Sequence, residues 1–81
     1  MQMYMNNGAK TIVLDGGIAP TLEQAQKFVD GYITIFKISD QAQLVFNNDA
    51  TGLPVNSYAS LISNMELHGN VMLLVGDSQL A

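Results

Sequence analysis

Three short apolar segments, each punctuated by glycine, constrain this chain most: Val29-Asp30-Gly31-Tyr32-Ile33, Gly52-Leu53-Pro54-Val55-Asn56 and Gly69-Asn70-Val71-Met72-Leu73-Leu74-Val75-Gly76. Glycine lets the backbone turn where other residues are strained. Each segment therefore marks a boundary between helix, strand and turn, and together they set the layout of about the last two thirds of the chain.

The elements between these boundaries follow from periodicity. Residues 1 to 8 read as a short strand or a loose arm ending at the Asn6-Asn7-Gly8 turn signal. Thr11-Ile12-Val13-Leu14 reads as a strand closed by Asp15-Gly16-Gly17. Pro20, Thr21 and Gln24 announce a helix through a capping box, with Leu22, Ala25, Phe28 and Val29 on one face and Glu23 and Lys27 paired on the other. Gly31 is expected to end it in the left-handed conformation. Residues 32 to 38 alternate with apolar groups on both sides, which predicts a central strand. A connection of about three to four residues returns the chain through Gln43-Leu44-Val45-Phe46 as a hairpin. Asn56 caps a second helix striped by Tyr58, Leu61, Ile62 and Met65, and Val71 to Val75 is an unbroken apolar strand inside the sheet.

The expected fold is therefore α+β: a single domain over 1–81, ordered β-α-β-β-α-β, with two helices on one face of a mainly antiparallel sheet. A ferredoxin-like sandwich fits that order, although Gly31 is a tight link from helix to strand. The last residues, 77–81, are expected to fray.

Composition narrows the function classes. A chain of 81 residues has a thin stability margin, and with no cysteine and one histidine it has neither a disulfide nor a tetrahedral zinc site to support it. An apolar core or self-association must compensate. Only 12% of residues are charged, with three lysines, no arginine and a net charge of −4. Nucleic-acid binding needs clustered cations, so that class is disfavoured, as is an anionic membrane surface. No stretch has the length of a membrane span, and the N-terminus lacks the basic head and apolar core of a secretory signal, so a cytoplasmic setting is expected.

Taken together, Phe28-Val29-Asp30-Gly31-Tyr32-Ile33, Gly52-Leu53-Pro54-Val55-Asn56 and Gly69 to Gly76 resemble an uncharacterised family of domains carried by phages and other mobile elements. The family pattern runs Val-Gly-Gly-Tyr-Ile, then Gly-Leu-Pro-x-Asn, then Gly-x-Val-Leu-Leu-Val-Gly. Asp30 stands where it has its first glycine. The resemblance covers about residues 21 to 77; it implies a viral or mobile-element setting, the host cytoplasm if viral, and no activity or catalytic residues.

Candidate sites are few. Leu53, Pro54, Val55 and Asn56 form a stiff, apolar loop that either positions the second helix or serves recognition, with Tyr32 or Tyr58 alongside. Asp15, Gly16 and Gly17, between a strand and a helix, form a weak candidate anion loop lacking a phosphate loop's lysine and glycine spacing. Asn47-x-Asp49-x-Thr51-Gly52 imitates half a calcium loop, but its twelfth position is Tyr58 instead of glutamate, so a polar turn is expected. His68 has no cysteine or second histidine to join it. No catalytic residue, metal site or cofactor is assigned. The sequence thus favours a non-catalytic accessory protein that contacts a protein partner or its own copy. An oligomeric sequesterer of a nucleotide-like ligand is the alternative, and an enzyme the least favoured reading.

Overall fold

The computed structural model describes residues 2–6, 8–49 and 52–80. Five strands and two helices follow in the order β1 (Gln2–Asn6), β2 (Ala9–Leu14), α1 (Leu22–Val29), β3 (Ile33–Ser39), β4 (Ala42–Asn47), α2 (Ser57–Ser63) and β5 (Val71–Val75). The α+β class expected from the sequence holds. The N-terminal segment joins the sheet as β1, turning at Gly8, whose φ of 86° suits glycine.

The strands lie in the order β1-β2-β5-β4-β3. β2 and β5 run parallel, and the other three pairings are antiparallel. This order differs from a ferredoxin-like sandwich. There, each helix joins two parallel strands that flank a third; here α2 links β4 to its antiparallel neighbour β5. Of the two helix-linked pairs, only β2 and β3, joined through α1, are parallel strands with others between them.

The helices also lie on opposite faces of the sheet, not on one. Met72, Leu74 and Val45 pack with Ala25 of α1, and Ile12, Leu14, Phe28, Ile33 and Leu80 border that cluster. Val71 and Leu44 pack instead with Ala59 of α2 and with Leu67, beside Phe46, Ile62, Met65 and Leu73. Successive residues of a strand point to opposite sides, so this division separates the two layers. The unbroken apolar run of β5 follows from it: both faces need cover, and each helix supplies one.

α1 forms as its capping box requires. Thr21 Oγ1 accepts from the Gln24 amide at 3.1 Å, and the Thr21 amide donates to Gln24 Oε1 at 2.9 Å. Its end differs from expectation. Asp30, not Gly31, takes the left-handed conformation (φ 63°, ψ 46°). Gly31 is needed for space, since a Cβ there would sit 2.8 Å from Asn47 Nδ2. That amide group donates to the Val29 and Asp30 carbonyls at 3.0 and 3.1 Å, tying the helix end to β4. α2 is a turn shorter than its stripe suggests, because Asn64 turns left-handed (φ 58°). Leu61 faces solvent, and Ala59 takes the buried position.

The tail beyond β5 does not fray as expected. Gly76–Ser78 form a 3-10 turn, and the Gly17 amide donates to the fully buried Ser78 hydroxyl. Leu80 packs against the α1-side cluster, while its amide donates to Gln43 Oε1. Ala81 lies outside the described residues.

Two stability predictions follow from this backbone. Asp30→Gly removes left-handed strain of ~1–2 kcal/mol and a carboxylate at a helix C-terminus, against a glycine entropy cost of ~0.5–1 kcal/mol. A net gain of about 0.5–1 kcal/mol is expected in urea unfolding, and a loss would refute this account of the helix end. Asn56→Ala is expected to cost about 2–4 kcal/mol, combining a lost cap with buried groups left unpaired. The same unfolding experiment reads it, and a change within 0.5 kcal/mol would show that the Asn56 network is dispensable.

Candidate functional site

The loop favoured from the sequence proves to be a structural joint. Asn56 is 1% exposed. Its Oδ1 accepts from the Ala59 amide and the Thr11 hydroxyl, both at 3.0 Å, and its Nδ2 donates to the Gly69 carbonyl at 3.0 Å. One side chain thereby caps α2, braces β2 and holds the approach to β5. The loop backbone pairs with the segment before β5: the Asn56 amide donates to Leu67 O and the Gly69 amide to Pro54 O, both 2.8 Å, around a bridge between Val55 and His68. Leu53 lies against Gly69, where a Cβ would fall 2.7 Å from Leu53 Cδ1. Pro54 and Val55 face solvent, whereas Asn56 does not.

The two tyrosines are placed apart. Tyr58 is half-buried and stacks on Tyr4 of β1, with centroids 4.3 Å apart and planes 11° from parallel. Burial, then the neighbouring Tyr4, pushes the Tyr58 hydroxyl above the ordinary tyrosine pKa. Tyr32 precedes β3, the strand at the other end of the sheet order from β1, and is 78% exposed. The sequence grouping of Tyr32 with the Leu53–Tyr58 region therefore separates into two places.

The remaining candidates are accounted for locally. Asp15, Gly16 and Gly17 are exposed, and the Gly17 amide is already engaged by Ser78 Oγ at 3.1 Å. Asn47 Oδ1 accepts from the Asp49 amide at 2.7 Å, and Asn48 Oδ1 from the Thr34 hydroxyl at 2.9 Å, which makes this segment a self-bonded polar turn. Thr51, the fifth position of that half-loop, lies outside the described residues. No group of three or more His, Asp or Glu side chains converges among the described residues.

What the sequence reading missed is β3. It is an edge strand, not a central one, with β4 as its one neighbour in the sheet. Ile35 is 44% exposed, Phe36 37% and Ile38 39%, on both faces of the strand. α1 reaches the start of the strand through Ile33 and leaves the rest uncovered. The hydrogen-bonding direction is fixed by Asn48, whose amide donates to Tyr32 O at 2.8 Å. Alternate residues of an antiparallel strand bond to the same neighbour, so Tyr32, Thr34 and Phe36 turn their backbone groups toward β4. Ile33, Ile35 and Lys37 turn theirs outward. A register shift between Lys37 and Ser39 bounds this open edge. Lys37 was the available signal, since lysine commonly marks edge strands; the two apolar faces masked it.

Beside this edge, Gln26, Lys27, Asp30, Gly31 and Tyr32 line an open cavity of about 390 Å³ at the end of α1. It carries one lysine, one aspartate and one exposed aromatic ring. None of the described helices is long and apolar enough to cross a membrane.

Comparison with protein-family models, with curated proteins and with solved structures gives no match to this chain. The functional reading rests on its own residues.

His68 supplies a test of the joint. Its Nδ1 lies 2.8 Å from the Leu53 carbonyl and its Nε2 3.0 Å from Glu66 Oε2. Both partners accept, and imidazole donates from both nitrogens only when protonated. The Leu53 carbonyl first, then Glu66, raise the His68 pKa above the ordinary 6.5. The resulting stabilisation is fully present below about 6.5, the unfolded value, and is lost as pH rises through the higher folded value. The thermal midpoint of the wild type is expected to fall across that window, and His68→Ala to flatten the slope. Identical profiles for the two proteins would refute the brace.

Proposed function

We propose that this chain is a non-catalytic binding protein that works by contact with another polypeptide, with the β3 edge as its contact element. The observation that supports this reading is an open strand edge with Ile35, Phe36 and Ile38 exposed on a chain where only 12% of residues are charged. A free edge offers a row of backbone donors and acceptors, and an added strand complements both these and the apolar side chains. The resemblance in its three glycine segments adds a setting: an accessory protein of a phage or mobile element, acting in the cytoplasm.

A second reading draws on the cavity at the end of α1. Lys27 and Tyr32 there offer a charge and a stacking face to a small anionic aromatic ligand such as a nucleotide. A thermal-shift panel of nucleotides separates the two, because bound ligand raises the midpoint by mass action. The contact reading expects a flat response.

The direct test is selection of displayed twelve-residue peptides on the purified protein. Extended sequences with apolar residues on both faces of the strand are expected to emerge, and Phe36→Ala to weaken them by about tenfold. Failure to enrich any sequence, or binding indifferent to Phe36, counts against the β3 edge.

A further inference from the structure

We infer that the occupant of the β3 edge is β3 of a second copy, paired antiparallel about a two-fold axis through Ile35. This deepens the contact reading above and rests on it. Outward-facing donors and acceptors lie at Ile33, Ile35 and Lys37, and the shift before Ser39 ends the usable edge. That segment, 33 to 37, has Ile35 at its centre.

Symmetry then limits the register. When two identical strands pair about an axis normal to the sheet, each face meets the same face, so odd residues oppose odd residues. Centring on Ile35 places Ile35 opposite Ile35 and Ile33 opposite Lys37. Residues 34 and 36 oppose each other on the other face. This register engages all three outward residues of each strand. Registers shifted by two residues leave one of them facing a position beyond the open edge.

The side chains agree with this choice. Apolar groups occupy both faces of β3, so an added strand must itself be apolar on both faces, and a second β3 has that property. Ile35 meets its copy on the α1 side, and Phe36 covers Thr34 on the α2 side. Lys37 is the one charge on β3. In this register the two lysines sit opposite the Ile33 residues at the two ends. Four residues of strand, roughly 13 Å, separate them. That exceeds the screening length of about 10 Å at 0.1 M salt, so like-charge repulsion is small. The β1 edge also exposes Met3, Tyr4 and Met5, but Tyr58 of α2 stacks on Tyr4 on one face, so β1 offers a partner strand one open face where β3 offers two.

Strand pairing of this length lies at the small end of specific interfaces, below ~1,200 Å², so a weak, reversible dimer is expected. Sedimentation equilibrium of the full chain up to millimolar concentration reads it. Wild type is expected to show a monomer–dimer equilibrium. Ile35→Lys and Ile35→Glu each place like charges on the axis and should weaken the dimer by roughly tenfold or more. An equimolar mixture of the two variants should restore dimer, because lysine then opposes glutamate. Matching circular dichroism and thermal midpoints show that the variants are folded; position 35 is solvent-facing and its backbone is not bonded to β4.

A wild type that stays monomeric overturns the proposal, as does a dimer unaffected by either variant or one that mixing fails to restore. These outcomes separate from the broader reading: peptides selected on a monomeric protein keep the contact reading while removing self-pairing. Loss of both results removes both.

Discussion

β5 is the strand on which the rest of the structure is built. It pairs in parallel with β2 and antiparallel with β4, and alternate side chains reach both helices. Val71 and Leu74 are completely buried on opposite faces. With each face covered by one short helix, the chain obtains two thin apolar layers around a single strand pair, where a larger domain has one thick core. This division suits a chain of 81 residues, since neither helix is long enough to cover a full sheet face.

Such economical cover leaves the margins of the sheet exposed, and the two edges are treated differently. At β1, Tyr4 lies under Tyr58 of α2. At β3, α1 reaches Ile33 and little beyond, so both faces and the backbone edge remain open. Lys37 and the register shift beside it are the features by which edge strands usually limit uncontrolled association. Here they also delimit a five-residue segment of defined register. An edge of that kind favours a bounded contact over open-ended aggregation.

The polar residues divide between joints and surface. Asn56, Asn47 and Asn70 each reach backbone groups distant in sequence, fastening α2 to β2 and the end of α1 to β4 and β5. Each meets a buried backbone group that would otherwise cost free energy. The asparagines that looked available for a ligand are consequently absorbed in holding the fold. Contact surface falls instead to apolar side chains at the β3 edge.

Sequence alone determined what depends on near neighbours. Thr21 and Gln24 set the start of α1, Asn56 the start of α2, and the unbroken run from Val71 identified the innermost strand, because capping and side-chain alternation act over a few residues. Tertiary structure decided what depends on distant partners. Whether Ile35 and Phe36 lie inside a sheet or at its margin turns on which strands lie alongside, and a strand apolar on both sides reads alike in either place. Asp30, rather than Gly31, takes the left-handed turn, and its carbonyl accepts from Asn47, seventeen residues away, whose side chain also fills the space a Cβ at Gly31 would need. The placement of α1 and α2 on opposite faces has the same origin: a period of two shows that both faces of β5 are apolar, and only the assembled chain assigns a helix to each.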